Sequence, residues 1–278
     1  MNEKDDILIE EVREMPKADR NNTAVILNER RRLSEPLTPD EARRKMAAMT
    51  RRSFIIGSAA AAFGVLGWRW MSEETKYNLL RSAFHFNESV AQAFYSPSRL
   101  TKEFPAEQVT AARVNGDIGM LPEFDPAAWK LAVTGIAGRT DDLTLTLDEI
   151  KTLPRTDMII EFKCIEGWST ITHFAGVRFS DFAARFAPQN RDPYVSLITP
   201  DEAYFVGWDT PAIMHPQTLL AYEMNGRPLK PEHGAPLRLA SPTKYGIKQI
   251  KRIGRIQFTS ERPRDYWAEQ GYDWYAGL

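Results

Sequence analysis

The chain has 278 residues, with 36 Lys and Arg against 37 Asp and Glu and a formal charge of −1, which excludes a uniformly basic nucleic-acid binder. Hydrophobic residues make up 43% and charged residues 26%, ordinary globular usage that excludes collagen-like, wholly disordered and polytopic membrane chains. The single cysteine, Cys164, excludes an internal disulfide, a Cys-x-x-Cys redox or zinc pair, a four-thiolate iron–sulfur cluster and a Cys-x-x-Cys-His haem attachment.

Residues 1–49 read as a disordered leader: Glu3-Lys4-Asp5-Asp6, Arg30-Arg31-Arg32 and Pro36-Leu37-Thr38-Pro39 offer too little apolar surface to offset chain entropy. Residues 50–71 change character. Arg51-Arg52 precedes the uncharged run from Ser53 to Trp68, closed by Arg69, and the pattern resembles a twin-arginine export signal. The run is shorter than the ~20 apolar residues of a full membrane span. No clean Ala-x-Ala follows it, so the expectation includes retention as an inner-membrane anchor as well as release.

A helical lead-in is expected over 72–110, with Tyr77, Leu79-Leu80, Phe84, Ala91 and Phe94-Tyr95 at helical spacing from Ser72 to about Phe104, broken at Ser96-Pro97. Residues 111–278 are expected to form one β-rich α+β domain. Strands are predicted at Trp129–Gly135, Leu143–Leu147, Ile159–Cys164, Tyr194–Thr199 and Pro236–Ala240, and a short helix over Phe179–Phe186 with Ser180 as its cap. The aromatic end, Tyr266-Trp267 and Tyr272-Asp273-Trp274-Tyr275, is expected to dock into the domain rather than line a pocket.

Three features carry chemistry. Cys164-Ile165-Glu166-Gly167-Trp168-Ser169 puts a thiol at a strand end beside a glycine and a large aromatic, suited to a soft metal next to a pocket wall; a buried structural cysteine is the other reading. Arg238, Lys244, Lys248, Lys251, Arg252 and Arg255 form an acid-free cationic stretch around Tyr245-Gly246-Ile247. It suits a phosphate held by ammonium and backbone donors, or else a solvated face. His233-Gly234-Ala235-Pro236-Leu237-Arg238 brings an imidazole and a guanidinium to one approach of a strand. His85, His173 and His215 show no zinc-ligand spacing. Two other classes stay open on these residues alone: a membrane-tethered, non-redox binding protein for a phosphorylated ligand, and a thiol enzyme with Cys164 as nucleophile and His173 or His233 as base.

Over about residues 84–278 the chain resembles molybdopterin-dependent oxidoreductases of the sulfite oxidase type, particularly exported haem-free members related to the periplasmic methionine-sulfoxide reductase catalytic subunit. The resemblance rests on Lys163–Ser169, His215–Tyr222, Glu232–Leu239 and Lys244–Lys248 in this order and spacing. It implies a sulfite oxidase-type molybdopterin-binding fold and a molybdopterin in its mononucleotide form. Cys164 would supply the one protein thiolate to molybdenum. Asn115, Thr199, His233, Arg238, Gly246, Ile247 and Lys248 would contact the cofactor. It further implies oxygen-atom transfer to or from a small oxo-substrate, translocation by the twin-arginine machinery to the periplasm, and a separate cytochrome or membrane haem subunit as electron partner, since the chain carries no haem or cluster motif. Glu166 and Trp168 are the expected catalytic neighbours, Trp168 walling the cleft and Glu166 orienting substrate or relaying a proton. Sulfite oxidases ring the metal with arginines, whereas here Glu166 would repel a dianion, which favours a sulfoxide or N-oxide. His233 departs from the asparagine usual in the methionine-sulfoxide reductases and is similar to the sulfite oxidases.

Overall fold

The computed structural model describes residues 64–277, 56–58 and scattered positions between 38 and 47. Most of the expected leader and half of the twin-arginine segment, Arg51 and Arg52 included, lie outside the described residues. The chain divides into two units, Met1–Lys76 and Tyr77–Leu278. In the first, residues 64–70 are helical. Helix α1 (Glu73–Phe94) begins there and continues into the second. It ends at Phe94 rather than near Phe104, because Ser96-Pro97 disfavours further helical backbone.

The second unit holds two five-stranded sheets. The first runs β2 (Leu143–Leu145), β1 (Leu131–Thr134), β10 (Arg255–Thr259), β5 (Tyr194–Ile198), β6 (Phe205–Asp209), antiparallel except for the β1–β10 pair. The second runs β3 (Arg155–Lys163), β4 (Ser169–Arg178), β7 (Leu219–Met224), β8 (Arg227–Pro228), with β9 (Arg238–Ala240) also paired to β7. Val133, Val195, Leu197, Trp208, Ile256 and Phe258 from the first sheet share one core with Val177, Leu220 and Leu239 from the second. The α+β, sheet-rich class follows from this layering.

Two short helices show how local sequence sets the frame. Helix α2 (Leu147–Lys151) starts in a reciprocal capping box, in which Thr146 Oγ1 accepts from Glu149 N and the Glu149 carboxylate accepts from Thr146 N at 2.8 Å. Thr146→Ala is expected to cost about 1 kcal/mol, read as a lower urea midpoint at unchanged slope. Helix α3 (Phe179–Phe186) buries Phe179 and Phe182 in the main core. Ser180 is not its cap: the cap position is Arg178, which makes no side-chain capping bond, and the helix is held by its apolar face instead. Gly176 sits at the register shift between β4 and β7, where a Cβ would run into the Leu220 carbonyl, so only glycine permits that approach.

Candidate active site

Strands β3 and β4 form a long hairpin in register from Arg155↔Val177 to Lys163↔Ser169. The connecting turn is closed by Cys164 N donating to Trp168 O at 2.9 Å and Gly167 N donating to Cys164 O at 3.1 Å. Gly167 takes φ +87°, a left-handed geometry that glycine tolerates. This turn sets Cys164, Glu166 and Trp168 at the edge of a cleft of about 1080 Å3, mouth included. The cleft is large enough for a cofactor-sized ligand.

Cys164 is buried, and burial pushes its thiol pKa up, with the Glu166 carboxylate adding in the same sense and Arg113 opposing. A protonated thiol of this kind is a poor free nucleophile, and becomes a thiolate where a bound cation displaces its proton. Asn115 Nδ2 lies 3.8 Å from Cys164 Sγ and donates to Glu166 Oε2 at 3.4 Å. The same carboxylate oxygen accepts from Trp168 Nε1 at 2.9 Å. Glu166 therefore orients both the indole and the amide that flank the sulfur. The Trp168 ring packs against Phe162, centroids 5.9 Å apart, and the Arg113 guanidinium stacks over it at 4.5 Å.

The opposite wall is cationic. Arg238 is buried; it donates to His233 O at 3.1 Å and to Gln249 O at 3.4 Å, and stacks on Phe162 and Phe174. Burial pulls its pKa down to about 10. Lys251, half-buried, donates from Nζ to the carbonyls of Asn115, Gly116 (3.0 Å) and Glu232 (3.3 Å), and burial, then Arg238, hold its pKa at about 8. Among the described residues, neither cation has a carboxylate within ion-pairing distance. Two desolvated positive groups on one wall, across the cleft from the single carboxylate of Glu166, form a receptor for an anion on that wall. His233 lines the same wall, and burial, then Arg238, push its pKa down, so its imidazole is neutral at physiological pH. Gly246 also lines the cleft; a Cβ there would come within 2.6 Å of the Phe162 ring, so the wall is shaped for a residue without a side chain.

Of the residues predicted to meet, Asn115, Cys164, Glu166, Trp168, His233, Arg238, Gly246 and Ile247 all line this cleft. Thr199 and Lys248 do not. The Thr199 hydroxyl donates to Asp201 at 2.6 Å and accepts from Tyr204 N, closing a turn behind the wall. Lys248 points into the protein, where Nζ donates to Asp265 Oδ2 and to Trp274 O, both at 2.6 Å. Lys244 does likewise, reaching Asp209 and Tyr275 O at 2.8 and 2.9 Å. The cationic stretch is therefore neither a continuous cradle nor a solvated face. Lys244 and Lys248 are internal ion pairs, and Lys251 is the lysine that faces the cleft. The aromatic end is also divided: Trp274 and Tyr275 are buried as expected, while Trp267 and Tyr272 line the cleft. His173 is not among the lining residues; its Nε2 pairs with Asp157 at 2.8 Å. Arg113, Tyr204 and Lys251 line the cleft without having been singled out as site residues. Lys251 carried a signal, its place in the acid-free run; Arg113 and Tyr204 carried none.

The donors fit a molybdopterin: a soft sulfur for the metal, and a guanidinium, an ammonium and a neutral imidazole for a polar, phosphorylated organic carrier. Comparison with known proteins agrees. Residues 118–267 match the oxidoreductase molybdopterin binding domain. A protein of Azospira oryzae named for protein-methionine-sulfoxide reductase, the subunit YedZ1, is 30% identical over 83% of this chain and 87% of its own length. The protein-methionine-sulfoxide reductase catalytic subunit MsrP of Campylobacter jejuni is 33% identical over 58% of this chain and 60% of its own length. The sulfane dehydrogenase SoxCD of Paracoccus pantotrophus aligns with a TM-score of 0.46 at 19% identity, covering 50% of this chain and 40% of that one. The family match alone spans more than half of the chain, which therefore belongs to the sulfite oxidase-type molybdopterin-binding oxidoreductases and is a molybdopterin-dependent enzyme.

Proposed function

We propose that this enzyme is an exported sulfoxide reductase, with Cys164 as the protein ligand to molybdenum and with electrons delivered by a separate cytochrome or quinone-linked haem subunit. The observation that carries the site assignment is the convergence, on a single cleft, of one buried thiol with Arg238 and Lys251, two cations that have no carboxylate partner among the described residues. When bound, the molybdenum centre supplies two-electron oxygen-atom transfer. The chain's own residues do the rest. Arg238, Lys251 and His233 hold the carrier, in its mononucleotide form, and the backbone at Gly246-Ile247 completes the wall. Glu166 holds Trp168 and Asn115 in place and can exchange a proton with a departing oxygen, while Trp168 and Phe162 keep that side of the cleft apolar.

The names of the relatives support a sulfoxide as substrate, and so does the electrostatics of the mouth, where the Glu166 carboxylate repels a dianion such as sulfite. Residues 50–71 serve as the twin-arginine signal that routes the loaded enzyme to the periplasm, residues 72–110 as a lead-in and 111–278 as the catalytic domain. No helix among the described residues is long and apolar enough to cross a membrane. The test is molybdenum analysis of enzyme exported from a competent host, with dye-linked turnover on methionine sulfoxide, trimethylamine N-oxide and sulfite. Stoichiometric molybdenum with sulfoxide reduction fastest is the expected result; metal-free protein, or sulfite oxidised faster than sulfoxide is reduced, overturns the reading.

A substitution at Glu166 reads its role in selectivity. Losing one negative charge a few ångströms from a bound dianion removes about 1–2 kcal/mol of repulsion in a water-filled mouth. Glu166→Gln is therefore expected to tighten sulfite inhibition about tenfold while the KM for neutral sulfoxide moves little, as measured by competitive inhibition constants.

A further inference from the structure

We propose that the outward face of helix α1 is a membrane-surface contact, lying on phospholipid headgroups with its apolar stripe inserted into the interface. Helix α1 is fixed to the catalytic unit by one face: Glu88 is buried and paired with Arg262 at 2.8 Å, and the Tyr95 hydroxyl, just past the helix end, donates to Pro211 O at 2.6 Å. Phe84 and Ala91 are half-buried on that same face. The opposite face carries Leu79, Ala83, Phe86, Val90 and Phe94, at the spacing that aligns side chains along one side of a helix. It is exposed: Phe86 is 68% and Phe94 70% accessible, and Leu79 and Val90 are exposed too. No charged side chain falls on this stripe between Leu79 and Phe94. The polarity is the reverse of an ordinary surface helix, with a buried ion pair inside and phenylalanines outside.

Chain continuity says what covers it. The uncharged run ending at Trp68 precedes the helix by only four residues, Arg69–Ser72, and those four include a cation and Trp70, which is 84% exposed. A tryptophan pair around an arginine at the end of an apolar run is the composition of a membrane–water boundary. A segment that begins there and continues as a one-sided apolar helix matches an interfacial helix, whose apolar face sits ~5–10 Å into the headgroup–acyl boundary. A second copy of the chain is the weaker occupant. At about 200 Å2 for a large aromatic, the four large side chains expose at most about 500 Å2, short of the ~800 Å2 each partner gives a standard protein interface.

The surface is independent of the chemistry of the cleft, and its test does not use turnover as the readout. The full chain is prepared with the apolar run silenced by Val65→Glu and Leu66→Glu, so that the run cannot itself insert, and sedimented with phosphatidylethanolamine–phosphatidylglycerol vesicles. It is expected to remain vesicle-bound, and adding Phe86→Glu and Phe94→Glu is expected to weaken partitioning at least about tenfold. Dye-linked sulfoxide turnover in solution should be the same with and without the stripe changes, which shows that the variant is folded. The proposal is overturned if the run-silenced chain leaves the vesicles entirely, or if the stripe changes leave partitioning unaltered. It is overturned equally if they convert a dimer to a monomer on a sizing column while vesicle binding stays the same.

Discussion

Cys164→Ser is expected to abolish turnover while leaving the fold and the pterin in place. The substitution keeps the size of the side chain, and the turn that presents it is closed by backbone bonds, Cys164 N to Trp168 O and Gly167 N to Cys164 O, which a serine makes equally well. Stability should change by less than about 1 kcal/mol, as for other near-isosteric changes at a cleft wall. On the proposed site the carrier is held by Arg238, Lys251 and His233, none of which hydrogen-bonds the thiol, so pterin fluorescence after acid oxidation should match the parent enzyme. What is lost is the soft donor. Changes to groups that merely orient a metal's ligands cost ~10–100-fold, so removing the ligand itself is expected to lower dye-linked turnover by at least about 100-fold and to change the molybdenum(V) resonance. Activity within about tenfold of the parent would mean that the sulfur is not a ligand.

How far the sequence could be read depended on whether a feature is local. The β3–β4 hairpin turn is local: a thiol, a glycine and a tryptophan within five residues sit together because the hairpin turn places them together. The strands with alternating or compact apolar patterns, β1 and β5, were legible for the same reason. Strand β7 was missed because its apolar part, Leu219–Tyr222, is a short continuous run before Glu223, and such a run does not separate a buried strand from a buried helix. Strand β10 alternates cleanly, Ile256 and Phe258 inward, yet it lies at the end of the cationic stretch and was hidden by its charges. The direction of those charges was the largest unreadable quantity. Lys244, Lys248 and Lys251 stand within eight residues, and what separates two internal ion pairs from one cleft-facing cation is the position of Asp209 and Asp265, supplied from 35 and 17 residues away. Spacing along the chain contains no information on such partners.

That distinction gives the second large effect, since Lys248 and Lys251 should respond oppositely to the same change. Lys248 and Asp265 are both buried, and Asp265 also accepts from Gly207 N at 3.2 Å and caps the helix Tyr266–Glu269 through Ala268 N at 3.1 Å. Burial pulls the Lys248 pKa down while Asp265 holds it up, so each charge depends on the other. Lys248→Met leaves a desolvated carboxylate without its cation and frees the Trp274 carbonyl, which should cost about 3–5 kcal/mol. Adding Asp265→Asn should recover part of it, because the amide can still serve the cap and carries no charge to strand. Lys251→Met removes a cation whose hydrogen-bond partners among the described residues are carbonyls at the cleft edge, so its stability should fall by about 1 kcal/mol or less, roughly one ordinary hydrogen bond. Its cofactor should instead be lost more readily on dialysis, because on the proposed site Lys251 is one of the cations that hold the anionic end of the carrier. Urea midpoints and pterin content measured on the two variants separate the roles. A Lys248→Met protein of parental stability that sheds its pterin would return the phosphate contact to Lys248 and remove Lys251 from the site.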